Sequence, residues 1–209
     1  MGLVIALNKG RILTECLPLL AACEIEPTES PDSSRRLIFD SRTGGHKLIV
    51  ARSADVPTYV ENGVADIGIT GKDTIEEYGG SMGFYELLDL GIGQCRMMTA
   101  GPVGVPEPPG VLRVATKFVN ITRAFYARRA RQVQLIKLSG AMEIAPLLGL
   151  ADTIVDIVDT GNTLKANGLE ARETICDIST RLIVNRASMK TKFEDVQALT
   201  TSLSAVVAG

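Results

Sequence analysis

The residues with the clearest chemical meaning lie between Asp156 and Leu164, D-I-V-D-T-G-N-T-L. A β-branched run, Thr153 to Val158, reads as a buried strand, and Asp159-Thr160-Gly161 turns the chain sharply into a helix. A phosphate needs several convergent N–H donors. Such a turn supplies them, because the first amides of a helix are unpaired and carry the positive end of its dipole. Gly161 lets the backbone approach a ligand, and the hydroxyls of Thr160 and Thr163 add donors. Asp156 and Asp159 would repel a bare phosphate, and suit a ligand that also presents ribose hydroxyls or a magnesium ion. The spacing leaves a second reading open, in which Asp159 or Thr160 only caps a helix.

The elements that must carry this turn alternate short β-branched runs with amphipathic segments, the pattern of α/β architecture. Leu3 to Leu7 reads as a buried strand and Arg11 to Cys23 as a helix. Arg36 to Phe39 and Lys47 to Ala51 flank Gly44-Gly45 as a hairpin, and Ser53 and Asp55 read as caps for a helix from Val56-Pro57 through Glu61. Asp66 to Thr70 is a strand before a short helix. The stretch Gly101 to Gly110, G-P-V-G-V-P-E-P-P-G, reads as a connector or surface loop, never helix or central strand. The same grammar then restarts. Val111 to Ala115 and Val133 to Leu138 are strands, Phe118 to Arg131 and Met142 to Leu148 helices, and Gly161 to Asn167 the helix after the turn. Glu170 to Arg186 forms one or two strands, and Ser188 caps a last helix through Val207. The expectation is two α/β lobes around a central cleft, periplasmic-binding-protein-like, with residues 1–90 plus 178–209 in the first lobe and 91–177 in the second.

Composition removes several function classes. The 209 residues are 45% apolar but hold no run near the roughly 20 residues that span a bilayer, and the first residues lack the basic start of a signal peptide, so a cytoplasmic protein is expected. A net charge of −2 offers no field for nucleic acid. Cys16, Cys23, Cys95 and Cys176 are scattered, and His46 is the lone histidine, beside the Gly-Gly turn and read as solvated; zinc and triad chemistry are disfavoured. Arg123, Arg128, Arg129 and Arg131 read as one solvated helix face.

Beyond the turn, a longer set of segments resembles the ATP phosphoribosyltransferase family. Glu143, Gly149, Ala151, Ile154, Asp156, Ile157, Thr160, Gly161, Thr163 and Leu164 match that family's signature, and A-L-N-K-G-R, S-R-R-L-I-F, R-S-A-D-V-P-T-Y-V, A-D-I-G-I-T-G-K-D, K-L-S-G-A-M-E and C-D-I-S-T-R-L-I-V-N follow in order. Asn8 departs from the proline or serine of many relatives, while Lys9-Gly10 is kept. The resemblance implies an enzyme that joins ATP to phosphoribosyl pyrophosphate with Mg2+ and releases pyrophosphate, at the first step of histidine biosynthesis. It implies that Asp159, Thr160, Gly161, Asn162 and Thr163 cradle the 5′-phosphate, with Asp156, Asp159 and Glu143 near ribose or metal. Arg52, Arg35 and Lys9 would stabilise the leaving group, and Lys9, Gly10, Arg11, Arg35, Arg52 and Asp73 would hold ATP; no residue is assigned to the metal. Each cation also has a solvated reading, although Arg52 stands at a strand end, where α/β ligand clefts open. Longer relatives carry a C-terminal histidine-binding domain; this chain is expected to lack it and to assemble with a histidyl-tRNA-synthetase-like regulatory subunit in a hetero-oligomer.

Overall fold

The computed structural model describes residues 2–31, 33–79 and 83–209, and its contacts divide the chain into two compact units, Met1–Gly93 with Ser179–Gly209, and Gln94–Ile178. The first unit runs β1 (Val4–Asn8), α1 (Arg11–Ala22), β2 (Ile38–Asp40), β3 (Lys47–Ala51), a 3-10 turn, α2 (Val56–Glu61), β4 (Ile67–Gly71), α3 (Lys72–Tyr78) and β5 (Phe84–Asp89). The second holds β6 (Cys95–Pro102), β7 (Leu112–Thr116), α4 (Val119–Ala127), β8 (Val133–Lys137), α5 (Ile144–Leu147), β9 (Thr153–Val158), α6 (Asn162–Ala166) and β10 (Leu169–Ile178). The chain then returns to the first unit as β11 (Thr180–Asn185), α7 (Ser188–Thr191) and α8 (Phe193–Ala208).

In the first unit the six strands lie in the order β2-β3-β1-β4-β11-β5, with β3, β1 and β4 mutually parallel. The pleat sends alternate residues of β1 to opposite faces: Ile5 and Leu7 join the core beneath α1 and α8, and Ala6 joins Val56, Val60 and Ile75 beneath α2 and α3. Helices on both faces are what a parallel sheet with near-continuous apolar strands requires. At the start of β4, Asp66 accepts hydrogen bonds from Val4 N (2.8 Å), Ser188 Oγ (2.6 Å) and Lys192 Nζ (2.7 Å). Burial alone would raise its carboxyl, but these donors outweigh it and hold it below the ordinary carboxylate value. Ser188 is therefore no helix cap: its hydroxyl is spent on Asp66, and the last helix breaks at Lys192. Nor do Ser53 and Asp55 cap α2, which begins without a side-chain cap bond.

The second unit has the order β10-β6-β9-β7-β8, with β7, β8 and β9 parallel and β6 antiparallel to β9. One face packs Met98, Ala100, Ile154, Val158 and Leu164 under α5 and α6; the other packs Met97, Val155, Phe118 and Phe125 under α4. Two strands were not expected from sequence, β5 and the interior strand β6. Gly101 and Pro102 close β6, so the Gly/Pro stretch begins as sheet and becomes a loop only beyond Pro102, where a missing N–H no longer breaks the ladder. Among the described residues no helix is long and apolar enough to cross a membrane.

Candidate active site

In the first unit the expected residues collect at one edge of the sheet because three parallel strands end there. Lys9 and Gly10 follow β1, Arg52 follows β3, and Asp73 opens α3 directly after β4. Lys9 N donates to Ala51 O at 2.8 Å, which ties the loops after β1 and β3 together. Arg35 precedes β2, which runs antiparallel to β3 and so begins at the edge where β3 ends. Gly10 has φ 98°, a backbone state costly for a side chain, and turns the chain into α1. Asp73 folds its carboxylate back against Gly71. Lys9, Arg35 and Arg52 are exposed, and among the described residues no carboxylate lies within ion-pair reach of them. Arg11 differs. Its Nε donates to Glu15 Oε1 at 2.6 Å, one helical turn on, and Glu15 also accepts Gly93 N–H at 2.7 Å. Those bonds hold the Glu15 carboxyl below its ordinary value.

The second unit builds its edge around the turn after β9. Thr116, at the end of β7, is fully buried: its hydroxyl donates to Val155 O at 2.8 Å and accepts Phe118 N–H at 2.9 Å. That double bond to β9 and to the following loop fixes where Lys117 emerges, 3.8 Å from Asp156 Oδ1 and stacked 4.8 Å above the Phe118 ring. Beyond Val158 the chain turns through Asp159 and Thr160 to Gly161, which stands at φ 77°, ψ 5°; a side chain there would cost about 1–2 kcal/mol. Leu164, buried against Val158 and the sheet, anchors α6 from below. The cap residue of α6 is glycine and makes no side-chain cap bond, while Thr160 Oγ1 accepts the Asn162 N–H at a long 3.4 Å.

Glu143, Asp156, Asp159, Thr160, Gly161 and Thr163 line one cavity of about 180 Å³. That is below the 300–1,000 Å³ usual for drug-sized ligands and suits a sugar phosphate better than a whole nucleotide. Burial pushes the Asp156 carboxyl up, and Glu143 adds to the rise; the Ile157 N–H (2.8 Å) and Lys117 pull it down without cancelling the shift. Among the described residues no three carboxylates, cysteines or histidines converge as a metal cage.

A family model for HisG, ATP phosphoribosyltransferase, matches residues 52–205. The ATP phosphoribosyltransferase of Ectopseudomonas mendocina is 60% identical over 205 residues, covering 98% of this chain and 97% of that one. This chain belongs to the ATP phosphoribosyltransferase family. The Pseudomonas aeruginosa member is 58% identical over 201 residues, 96% of this chain and 95% of its own. The solved ATP phosphoribosyl transferase (HisG:HisZ) complex from Thermotoga maritima aligns at TM-score 0.86 and 34% identity, over 99% of this chain and 98% of that one. A structure of Tv2483 bound to L-arginine aligns at TM-score 0.57 and 14% identity, over 99% of this chain and 84% of that one, a likeness of fold alone.

Within this family frame the residues anticipated from sequence fall into two groups, the cations and Asp73 in the first unit and the acid-and-amide turn in the second. Lys117 was missed. Its signal was available, a lysine directly after a β-branched strand, the same strand-end rule that singled out Arg52. His46 is not the solvated turn residue expected: it is half-buried, its Nδ1 accepts Leu3 N–H at 3.1 Å, and burial lowers its basicity. Arg123, Arg128 and Arg129 at the end of α4 are exposed, as expected of a solvated face, and some of these arginines make surface contacts. Arg129 pairs with Glu173 and lies 3.7 Å from the Phe125 ring centroid, and Arg131 donates to Pro108 O at 2.6 Å.

Proposed function

We infer that this chain transfers the phosphoribosyl group of phosphoribosyl pyrophosphate to N1 of the adenine of ATP, releasing pyrophosphate, at the first step of histidine biosynthesis. The observation that carries the reading is identity of about 60% with a named ATP phosphoribosyltransferase along 98% of the chain. The geometry is compatible with that chemistry. The N1 lone pair forms the new bond to the anomeric carbon while the bond from that carbon to pyrophosphate oxygen breaks. A neutral nitrogen needs no proton removed before attack, so no histidine base is required. What remains is to hold two polyanions together and stabilise charge on the departing group.

Asp159, Thr160, Gly161, Asn162 and Thr163 hold the 5′-phosphate, and Glu143 and Asp156 accept hydrogen bonds from ribose hydroxyls inside the small cavity. Arg52, Arg35 and Lys9, which no carboxylate neutralises among the described residues, supply charge to pyrophosphate and the ATP phosphates. Gly10, Arg11 and Asp73 complete the nucleotide's side. Arg11 must exchange its bond to Glu15 for this role, so it contributes less than Arg52. The acids beside the turn, Asp156 and Asp159, would stand nearest a magnesium ion, which would supply charge neutralisation for the pyrophosphate oxygens. The enzyme works in the cytoplasm, where its substrates are, and a histidyl-tRNA-synthetase-like subunit regulates it in a hetero-oligomer. That partner is suggested by the assembly named for the Thermotoga maritima structure.

Mixing the chain with ATP, magnesium and phosphoribosyl pyrophosphate, with and without such a subunit, tests the reading. Pyrophosphate release and a new adenine-derived absorbance are expected with ATP and not with guanine or orotate. Product with orotate, or no product with ATP in either state, would contradict it.

A further inference from the structure

The turn that walls the small cavity also walls a larger one. Val158, Thr160, Gly161 and Leu164 line both, and the second cavity, about 510 Å³, extends from them toward β6 and β10. Its lining is mostly apolar, with Met98, Val103, Val158, Leu164 and Leu169, and it carries two cations, Arg96 and Lys165. Among the described residues neither cation has a carboxylate partner, while the carboxylate in the lining, Glu170, accepts Gly104 N–H at 3.1 Å. The rim is fixed. Arg172 donates to Pro102 O at 3.3 Å and to Val105 O, and with the Glu170 bond this straps the loop beyond β6 to β10. A preformed apolar basin with unneutralised positive charge at its wall recognises one chemical class, an apolar body bearing a single acidic group. A triphosphate would leave most of its oxygens without donors against this lining.

We propose that this cavity is a second binding site, for a small amphiphilic monoanion, and that its occupation weakens binding in the neighbouring cavity through the turn they share. Two anions on either side of one short turn repel each other, and both draw on the position of Thr160 and Gly161. The site stands on its own lining; its negative linkage rests on the reading of Asp159 to Thr163 as the phosphoribosyl pyrophosphate turn. Linkage is reciprocal, so each ligand must weaken the other by the same factor.

The probe is 8-anilinonaphthalene-1-sulfonate, an aromatic body with one sulfonate, followed by fluorescence on the full chain. Wild type binds it saturably, octanoate displaces it, and octanol at equal concentration does so far less. Arg96→Gln and Lys165→Gln, both exposed side chains whose loss leaves the core intact, each raise the dye Kd about tenfold or more, the usual loss for one charge-assisted bond. Phosphoribosyl pyrophosphate raises the dye Kd to a plateau about fivefold higher, the low end of ordinary coupling. Dye affinity unchanged in both variants overturns the site. A dye Kd that climbs without limit as phosphoribosyl pyrophosphate is added means one shared site, and overturns the proposal while sparing the function. If calorimetry finds no phosphoribosyl pyrophosphate binding while both variants still weaken the dye, the site stands and its linkage and the turn's substrate role fail.

Discussion

The two sheets end in chemically opposite edges. In the first unit the loops after β1 and β3 carry exposed cations: the backbones of Lys9 and Arg52 are hydrogen-bonded, and among the described residues no carboxylate pairs with their side chains. In the second unit the turn after β9 is shaped by buried groups, Thr116 locking β7 to β9 and Leu164 seating α6, and its acid Asp156 is half-buried with a raised carboxyl. Exposed charge suits a group that departs; a turn seated on buried supporting groups suits the sugar phosphate that stays. Position in an α/β fold selects where a ligand binds, while burial of the supporting groups selects which part of it is gripped tightly.

On that division, replacing charge at the first edge should strike turnover, and replacing the shape of the turn at the second should strike binding. The largest effect is expected from Arg52→Ala, a loss of about 10² or more in turnover with phosphoribosyl pyrophosphate affinity nearly kept. Steady-state kinetics beside calorimetry read both, and turnover within a fewfold of wild type removes Arg52 from leaving-group stabilisation. Gly161→Val comes next. Holding valine at φ 77° stores about 1–3 kcal/mol of strain, so the turn relaxes and phosphoribosyl pyrophosphate binds about 10- to 100-fold more weakly. Unchanged affinity in calorimetry would show that the turn's shape is irrelevant.

Smaller effects sharpen the contrast. Ser188→Ala, at the opposite edge of the first sheet, should cost about 1 kcal/mol of stability in urea unfolding with kinetic constants unmoved. Because the Asp66 carboxyl is held below its unfolded value of 3.8, its contribution is present above that pH and is lost as pH falls through the lower folded value. Removing Ser188 should therefore shrink the acid loss measured there; an unaltered acid transition would separate Ser188 from Asp66. The finest effect is a pH shift. Ligand binding that needs Asp156 ionised fails as pH drops through its raised value. Lys117→Met removes a cation that lowers that value and should move the acid limb of phosphoribosyl pyrophosphate affinity to higher pH; Glu143→Gln should move it lower. Limbs that move together, or not at all, would detach Asp156 from the ligand.

The fold was legible wherever burial and chain chemistry agree. β-branched runs at Thr153 to Val158 and Lys47 to Ala51 became strands with those bounds, because such residues fit a pleated surface packed on both faces. β6 was hidden by its composition, Cys-Arg-Met-Met rather than β-branched residues, and by Gly101-Pro102 at its end; only its place between β9 and β10 makes it a strand. β5 is the edge strand of its sheet, and the exposure of Tyr85 and Glu86 there breaks the apolar alternation. The turn at Gly161 was readable because strand, acid, glycine and helix are local. Lys117 carried a strand-end signal, but its place beside Asp156, like that of Arg96 beside the turn, depends on pairing between strands far apart in sequence.

Diffraction from crystals soaked with phosphoribosyl pyrophosphate tests the central claim most directly. The 5′-phosphate oxygens should lie within about 2.7–3.2 Å of backbone amides between Thr160 and Leu164, with ribose hydroxyls toward Glu143 and Asp156. A fully occupied ligand that leaves this turn bare would contradict it.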